Sequence, residues 1–529
     1  MLPSTETTVY GLLRDGAGSW PDRLLVQLDD GERWTWAQAL REGARAANAL
    51  AARGVRRDDR VMMPLPNGPA WLRSWWGATL LGAVVVPVNP LLRGRSLADI
   101  CDLVSPAAIV AEDEMAALLP ERHLDRRVGP EELTTGADEI AELDPPPLPS
   151  DTHCLLMTSG TTGPSKASIT THAYAATLVA FIVERCGVGP DDVFQADMPW
   201  FHLSSFAPAI QMMRVGGTIM LRSVPAMTRY WQCAKELGST FAIAPGTVSA
   251  FLAGQSPSAA DRDHSMRFVL CSPLPPDPDS FVERFGLSGL VTAYGSTEAN
   301  LVTTTTLDEP YRAGSCGRAR PGFEIRIVDE YDRPVAPGEV GELIVRADQP
   351  WLQTQGYFER PEDTVRLWRN GWVHTGDALR VDEDGYFFFH DRYKDALRRR
   401  GENISSFEVE RDVASHPCVA EVACVAHPSE VSGDDEVKVF IVPAEGATVD
   451  FPELLAFLVE RMAHFAVPRY YELVTELPKT PTQRVQKHLL RARGDSDGTW
   501  DREAAGYRVT RTGLVAPQME RAPSPGVSA

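Results

Sequence analysis

The sequence has few cysteines, and their spacing excludes two classes of protein. Eight cysteines are scattered over 529 residues without a C-x-x-C pair, so neither a disulfide framework nor a zinc site is indicated. The two closest, Cys418 and Cys424, lie in apolar, strand-like sequence and are predicted to be buried free thiols. A reducing, cytoplasmic environment fits this pattern best.

The sequence also lacks a basic excess and any long apolar run. A net charge of −20 argues against nucleic acid or an anionic membrane as a partner, although a local cluster of donors can still hold ATP. The N-terminus has no basic segment followed by an apolar one, so no secretory signal is expected. The longest apolar run, about Trp75 to Val88, is broken by glycine and too short to span a bilayer. Oligomeric state is left open.

Hydrophobic periodicity predicts an α/β fold. Helical stretches at Trp36–Arg53 and Pro69–Leu81 alternate with short apolar runs such as Ala83–Val88, and the alternation continues to Leu290–Tyr294. After about residue 320, strand-like segments separated by turn residues indicate antiparallel sheet. A smaller α/β unit follows, beginning with a helix at Ser406–Ser415.

One segment has the composition of a phosphate-binding turn. It reads Thr158-Ser-Gly-Thr-Thr-Gly-Pro-Ser-Lys166 and follows the strand-like His153–Met157. Two glycines let the backbone approach an anion closely, hydroxyls and amides supply donors, and Lys166 adds a point charge. A Walker P-loop is disfavoured, because Ser165 and Ala167 stand where that motif needs glycine and a hydroxyl residue.

This turn resembles the phosphate loop of the adenylate-forming superfamily, which includes acyl-CoA synthetases, peptide-synthetase adenylation domains and luciferases. Further motifs occur in that family's order over roughly residues 5 to 493. They read Tyr294-Gly-Ser-Thr-Glu298, Gly341-Glu-Leu, Gly356-Tyr, Arg360-Pro-Glu362, Trp372-Val-His-Thr-Gly-Asp377, Asp391-Arg-Tyr-Lys394 and Arg400-Gly-Glu-Asn403. Within that superfamily, the sequence most resembles the crotonobetaine/carnitine-CoA ligase-like group.

The resemblance implies an α/β fold with two domains. A large N-terminal ATP- and acyl-binding domain, residues 1–390, would contain two α/β-layered subdomains and a small β-barrel-like one. Residues 391–394 would form a hinge, and 395–494 a smaller, mobile α+β domain. The last stretch, 495–529, is rich in Gly, Pro, Ser and Arg and is predicted to be a disordered tail.

The resemblance also implies roles for individual residues. The phosphates of ATP would be held by Thr158, Ser159, Gly160, Thr161, Thr162, Gly163 and Lys166. Glu298, next to Thr297, would associate with Mg²⁺. The adenine and ribose would contact Ser272, Pro273, Tyr294, Gly295, Ser296, Asp377 and Arg392, although Cys271-Ser-Pro-Leu departs from the family's usual Gly-Ala-Ala-Pro-like run.

The second substrate and the domain movement would involve another group of residues. His202 would gate the passage between the nucleotide and acyl sites. The acyl pocket would draw on Phe201, Leu203, Phe206, 244–247 and 297–300. Lys394 would lie at the hinge, and Arg398–Gly401 would face the pantetheine channel of CoA.

One position departs from the family's pattern. Where these enzymes carry Pro-Lys-Thr-x-Thr/Ser-Gly-Lys, the chain reads Pro478-Lys-Thr-Pro-Thr-Gln-Arg484-Val-Gln-Lys487. Arginine keeps the charge of the catalytic lysine but is planar and forked, so the exchange is not conservative. Arg484 could substitute for that lysine, Lys479 or Lys487 could reach in, or the acid could differ from an ordinary carboxylate.

The expected activity is therefore that of an AMP-forming acid–thiol ligase. It would join a carboxylic acid to the α-phosphorus of ATP, release pyrophosphate and pass the acyl group to CoA. Two alternatives stay open: transfer of the activated group to an amine or another acceptor, including nitrite activation for diazotisation, and an impaired homologue that only binds nucleotide or acyl ligand.

Overall fold

The computed structural model describes residues 7–158, 165–224, 226–275, 277–310, 312, 314–392, 396–399, 402–429, 434–478, 485 and 487–517. Within them lie three large sheets and a smaller C-terminal sheet. None of the helices in these ranges is long and apolar enough to cross a membrane.

The first part of the chain alternates strands and helices. Its strands are β1 Leu24–Leu28, β2 Arg33–Thr35, β3 Arg60–Met63, β4 Val84–Pro87, β5 Ala108–Val110, β6 Arg127–Val128, β7 Thr152–Thr158, β8 Lys166–Thr171, β9 Val193–Ala196, β10 Thr218–Leu221, β11 Phe241–Pro245, β12 Phe268–Ser272 and β13 Gly289–Val291. Its helices are α1 Val9–Ser19, α2 Trp36–Ala52, α3 Pro69–Leu80, α4 Gly94–Val104, α5 Asp113–Ala116, α6 His172–Thr177, α7 Ala180–Arg185, α8 Leu203–Val215, α9 Tyr230–Glu236, α10 Gly246–Gly254 and α11 Pro278–Phe285.

These strands form two mainly parallel sheets. One has the order β13-β12-β11-β9-β10-β1-β2 and the other β6-β5-β3-β4-β7-β8. Only an end strand of each, β2 and β8, runs antiparallel to its neighbour. Helix α2 begins with a reciprocal cap, since the Thr35 hydroxyl accepts from the Gln38 amide and the Gln38 side chain accepts from the Thr35 amide.

Buried tryptophans fill the space between these layers. Trp71, Trp75, Trp76 and Trp200 are each no more than 1% exposed. The Trp71 and Trp200 rings meet edge to face with their centroids 4.9 Å apart. Helix α3 carries three of these four tryptophans and buries all three. Its apolar sequence therefore belongs to the core of the N-terminal part.

The third sheet is antiparallel and follows directly along the chain. It contains β14 Ala293–Ser296, β15 Asn300–Thr304, β16 Ser315–Ala319, β17 Phe323–Val328, β18 Gly341–Ala347, β19 Val373–Val381 and β20 Tyr386–Arg392, with α12 Pro361–Leu367 beside it. Its order is β14-β15-β16-β20-β19-β18-β17. The apolar run Leu290–Tyr294, predicted as one strand, is divided at Thr292 between β13 of a parallel sheet and β14 of this one.

The C-terminal region is smaller. It contains β21 Ala396–Arg399, β22 Glu402–Ser405, β23 Val419–Pro428, β24 Asp435–Pro443, β25 Tyr470–Leu473, β26 Thr499–Asp501, β27 Arg508–Thr510, β28 Gly513–Val515, α13 Ser406–Ala414, α14 Phe451–Val459 and α15 Lys487–Arg493. The sheet β23-β24-β25-β26 forms its centre. The predicted fold class, a large α/β N-terminal part with a smaller α+β C-terminal part, is confirmed.

The prediction of a disordered tail from Asp495 is wrong for residues 495–517. Strand β26 extends the C-terminal sheet by pairing with β25, so that Trp500 lies opposite Tyr471. The Trp500 ring stacks on Phe451 at 5.3 Å and meets the Tyr471 ring at 5.4 Å. Aromatic burial therefore offsets the high Gly, Pro and Ser content. Residues 518–529 lie outside the described ranges.

We expect Trp500→Ala to lower the free energy of unfolding by about 2–3 kcal/mol, because a large, partly buried ring leaves a cavity at the sheet edge. Urea denaturation followed by circular dichroism measures this. Val515→Ala, at a position 52% exposed in the same segment, is the control and should change stability by less than about 0.5 kcal/mol. Equal stability of the Trp500 variant and wild type would contradict the structural role of this segment.

Candidate active site

A cavity of about 1100 Å³ lies where the two parallel sheets meet the antiparallel sheet and the C-terminal region. The carboxyl ends of several parallel strands open into it, through Met157, Met198, Pro245 and Ser272. In α/β sheets this edge is where ligands bind, because the loops that follow the strands diverge there. The cavity is therefore the candidate active site.

Most predicted site residues within the described ranges line this cavity. They are Thr158, Lys166, His202, Ser272, Pro273, Tyr294, Gly295, Ser296, Thr297, Glu298 and Asp377. Five more, Ser159, Gly160, Thr161, Thr162 and Gly163, lie outside the described residues, as do Lys394, Gly401 and Arg484. The backbone of Arg392 pairs with that of Asp377 across β19 and β20. The roles of all these residues stay predictions.

Lys166 is held at the end of a β-hairpin. Strands β7 and β8 pair antiparallel with Thr158 opposite Lys166, so the predicted phosphate turn connects the two strands. The Lys166 ammonium lies 3.0 Å from the Asp363 carboxylate and 4.8 Å from the centre of the Tyr357 ring. The lysine is thus an oriented cation whose acidic partner would compete with any bound anion.

Tyr357 joins Lys166 to the predicted metal-associated carboxylate. Its hydroxyl donates to Glu298 Oε1 at 2.7 Å, and burial together with the charge of Glu298 raises the pKa of Tyr357. Tyr357 therefore remains a neutral hydrogen-bond donor. Sequence reasoning gave this residue no role, although the pair Gly356-Tyr357 was the available signal.

A second carboxylate–tyrosine pair lies at the predicted nucleotide end. The Tyr294 hydroxyl donates to Asp377 Oδ2 at 2.8 Å, and burial followed by the charge of Asp377 raises the pKa of Tyr294. Gly295 follows at a register shift between β14 and β15. A Cβ there would lie 2.2 Å from the carbonyl oxygen of Asn300, so the turn after Tyr294 requires glycine.

His202 lies beside a carboxylate of the C-terminal region. It precedes helix α8, and its Nε2 atom is buried without a hydrogen-bond partner among the described residues. Glu402 Oε2 is 3.6 Å from that nitrogen and accepts a hydrogen bond from Asn89 Nδ2 at 3.2 Å. Asn89 and Glu402 were given no role from sequence, because residues over 300 positions apart meet only in the folded chain.

The cavity wall includes a group of uncharged side chains, which we call the acyl pocket. Its described members are Tyr174, Leu178, Val179, Met198, Phe201, Ser205, Met227, Ile243, Pro245, Val248, Leu270, Asn300 and Leu301. The prediction of Phe206 as a pocket residue is wrong: its buried ring packs on Trp71 and Trp75 at 5.5 and 5.7 Å. The side chains of Leu203 and Thr247 lie outside the described set.

The C-terminal region closes the cavity through polar contacts to the N-terminal part. Arg411 of α13 pairs with Asp99 of α4 at 2.6 Å, and both the amide and the hydroxyl of Ser165 donate to Glu408. Lys487 lies 2.7 Å from Glu410 within the C-terminal region and is not on the cavity wall in this arrangement.

The prediction that Arg399 faces a CoA channel is wrong. Its side chain is 2% exposed and pairs with Glu436 at 2.7 Å, and it donates to the carbonyls of Phe465 and Val467 at 3.0 and 3.3 Å. Arg399 thus anchors the β21–β22 hairpin to the core of the C-terminal region. Arg400 and Gly401, and the side chain of Arg398, lie outside the described residues.

The fold, in which a small C-terminal region closes a cavity of a large α/β part, fits the class of adenylate-forming enzymes. Comparison with known proteins supports the same class. The chain belongs to the AMP-binding enzyme family: that family's model matches residues 13–358, and the model of the AMP-binding enzyme C-terminal domain matches 408–484. The prediction of an AMP-forming ligase is confirmed.

Curated relatives are similar over nearly their whole length. The chain is 31% identical over 509 residues to a crotonobetaine/carnitine–CoA ligase of Salmonella arizonae, covering 90% of this chain and 97% of that protein. A ligase of the same name from Escherichia coli is 30% identical, with 87% of this chain and 93% of that protein covered.

Solved structures share the fold. A double mutant of Bacillus subtilis o-succinylbenzoate CoA synthetase bound with a product analogue has a TM-score of 0.81 at 24% identity, covering 92% and 99% of the two chains. The same enzyme in complex with AMP has a TM-score of 0.67 at 23% identity, covering 94% and 100%. An amide bond synthetase from Marinactinospora thermotolerans has a TM-score of 0.78 at 25% identity, covering 92% of this chain and 99% of that one.

We expect Lys166→Ala to lower kcat/KM for ATP by about 100-fold, because a charged donor to the phosphates is lost. Pyrophosphate exchange measures this step. Asp363→Asn should instead leave kcat/KM within about threefold of wild type or raise it, because a partly buried carboxylate that competes with the phosphates for Lys166 is removed.

Lys235→Ala is the matched control for this prediction. Lys235 forms an ion pair with Asp263 in which both side chains are more than half exposed, and it is not on the cavity wall, so exchange should be unchanged. Wild-type exchange by the Lys166 variant would reject the phosphate-site assignment.

Proposed function

We propose that the chain is an acid–CoA ligase that activates a carboxylic acid with an uncharged, largely apolar tail. The observation that carries this proposal is the continuity of one cavity. It joins Lys166 and Glu298 at the phosphate end, the Tyr294–Asp377 pair at the nucleotide end, and the uncharged side chains of the acyl pocket. The names of the curated relatives support CoA as the acceptor.

The first half-reaction brings two anions together. Lys166 and the donors of the preceding turn hold the β- and γ-phosphates, Tyr294 stacks on adenine, and Asp377 accepts from the ribose hydroxyls. A carboxylate oxygen of the acid attacks the α-phosphorus, the bond from phosphorus to the bridging oxygen breaks, and pyrophosphate leaves. Fixed donors lower this barrier because they are already oriented in a site of low dielectric.

Magnesium fits this site through Glu298. Mg²⁺ is usually bound by one or two protein carboxylates together with substrate phosphates, and among the described residues no group of three or more His, Cys, Asp or Glu side chains could hold a metal ion alone. Glu298 would therefore share the ion with the phosphates, whose charge the ion neutralises when bound.

The second half-reaction uses the C-terminal region in the arrangement described above. The CoA thiol loses its proton to water and its sulfur attacks the acyl carbonyl carbon, the bond from that carbon to the phosphate oxygen breaks, and AMP leaves. Glu402, 3.6 Å from His202, lies at the passage between the phosphate end and the acyl pocket.

The acyl pocket favours a neutral tail. It gathers the uncharged residues of the cavity wall, and burying a charge among such side chains without a partner costs several kcal/mol. Asp197 is adjacent in sequence to Met198 but is 1% exposed and not on the wall. A tail with a fixed cation, such as the trimethylammonium group of carnitine, would therefore find no counter-charge among these residues.

We also propose a reducing, cytoplasmic setting. All eight cysteines are free, and all but Cys316 are buried. Burial raises the pKa of the Cys101 thiol to about 11 and that of Cys271 to about 12. Such thiols stay protonated at neutral pH and are poor nucleophiles, which suits structural cysteines in a reducing environment.

We expect pyrophosphate release with aromatic or aliphatic acids, followed by CoA-dependent thioester formation. The screen compares each neutral-tailed acid with carnitine or a betaine acid and with nitrite. Each of these substrates is tested separately with CoA and with an amine as the acceptor. A neutral-tailed acid should be preferred by about 100-fold in kcat/KM, as expected for an unpaired buried charge. Product formation only with an amine would instead establish the amide-forming alternative, and ADP release would reject both.

Arg484 is proposed to serve the first half-reaction only. Arg484→Ala should slow pyrophosphate exchange by about 10²–10³-fold, whereas thioester formation from preformed acyl-adenylate should stay within about twofold of wild type. Arg484→Lys restores the usual family residue and is the matched control for charge. Equal loss in both half-reactions would contradict this assignment.

A further inference from the structure

A carboxylate of the C-terminal region occupies donors at the end of the phosphate hairpin. Ser165 precedes Lys166, and its backbone N–H donates to Glu408 Oε1 at 3.2 Å while its hydroxyl donates to the same oxygen at 2.7 Å. Glu408 lies in the first turn of α13, and both residues line the active-site cavity. The contact joins residues 243 positions apart.

The geometry is that of an anion-binding site filled by a protein carboxylate. An amide and a hydroxyl that converge on one oxygen form charge-assisted hydrogen bonds, which are about twice as strong as neutral ones. Burial raises the pKa of Glu408, and the bonds from Ser165 oppose that rise. The carboxylate therefore depends on these donors for compensation of its lost hydration.

Other charges on α13 fix where this carboxylate lies. Arg411, one turn further along, pairs with Asp99 of α4 at 2.6 Å and donates to the Ser96 hydroxyl at 3.2 Å. Asp412 faces the same arginine at 3.0 Å. These contacts dock α13 on the N-terminal part, so Glu408 meets Ser165 only when the C-terminal region is in this arrangement.

We propose that Glu408 is a positioning residue that replaces a phosphate oxygen on Ser165 after pyrophosphate has left. This inference rests on the proposed function, in which the turn ending at Lys166 holds the triphosphate of ATP. A triphosphate and the Glu408 carboxylate are both anions that need the same donors, so they exclude one another. The contact then stabilises the thioester-forming arrangement, and ATP opposes it.

Two consequences distinguish this role from a merely structural one. Removal of the carboxylate should lower the population of the closed arrangement, so the fraction of protein that binds ATP rises and the apparent Kd for ATP falls. The thioester step should become slower, because that arrangement has lost a contact. A residue that only stabilised the fold would affect both half-reactions in the same direction.

The test uses the full-length protein and the variants Glu408→Gln, Glu408→Ala and Ser165→Ala. Glu453→Gln is the matched control, since Glu453 is also in the first turn of a C-terminal helix but is exposed. Calorimetry measures the Kd of a non-hydrolysable ATP analogue. Pyrophosphate exchange reports the first half-reaction, and thioester formation from preformed acyl-adenylate reports the second.

For Glu408→Ala we expect a Kd for the ATP analogue about 3–10-fold lower than that of wild type, and pyrophosphate exchange at or above the wild-type rate. Thioester formation should be slowed by about 10-fold, which is the effect of losing a charge-assisted hydrogen bond. Glu408→Gln should show the same changes at smaller size. Ser165→Ala should slow both half-reactions, because Ser165 serves the phosphates first and Glu408 afterwards. The Ser165→Ala/Glu408→Ala double variant should lose no more in the thioester step than Glu408→Ala alone.

The proposal is overturned if Glu408→Ala matches the Glu453 control in all three measurements, if both half-reactions slow equally, or if the losses of the double variant add. Failure of the proposed function has a separate signature, which is the absence of pyrophosphate exchange by the wild-type protein with every acid. In that case the calorimetric comparison still decides whether Glu408 competes with a triphosphate for Ser165.

Discussion

Two anions, the triphosphate of ATP and the acid, must meet inside a protein that is itself acidic. The rest of the site depends on this electrostatic constraint. The chain carries a net charge of −20, and Lys166 is already paired with Asp363. Ser165 likewise donates to a carboxylate. Under the proposed function, ligand binding is an exchange of partners, in which phosphate oxygens displace protein carboxylates from donors that are already oriented. Such donors need little reorganisation, which favours catalysis.

The same principle connects the two parts of the chain. Among the described residues, the polar contacts between the C-terminal region and the N-terminal part include Glu402 with Asn89, Glu408 with Ser165, and Arg411 with Asp99 and Ser96. Leu91 of the N-terminal part also packs against the apolar core of the C-terminal region. Polar interfaces of this kind are compatible with domain movement, because their groups can be rehydrated when the surfaces separate.

Much of the fold could be predicted because the parallel strands are short, continuous apolar runs between turn residues. Strands Val193–Ala196 and Thr218–Leu221 coincide with short, mainly apolar segments that polar or glycine residues flank. Predictions failed where a local pattern had two structural solutions. An apolar residue such as Phe206 can face either the core or a ligand pocket, and the partner helices decide between them. Arg399, within a basic run, is buried because Glu436 lies opposite it in the folded domain.

The amino-acid sequence by itself determined the chemistry of this protein: a hydroxyl- and glycine-rich turn ending in Lys166, and the motifs that give its family, are local patterns of donors and charges. Only the tertiary structure decided which carboxylates those donors face. The pairs Lys166–Asp363, Tyr357–Glu298, Tyr294–Asp377 and Ser165–Glu408 each join residues more than 50 positions apart. Pairing of that kind depends on how sheets and domains pack, and no local pattern in the chain encodes it.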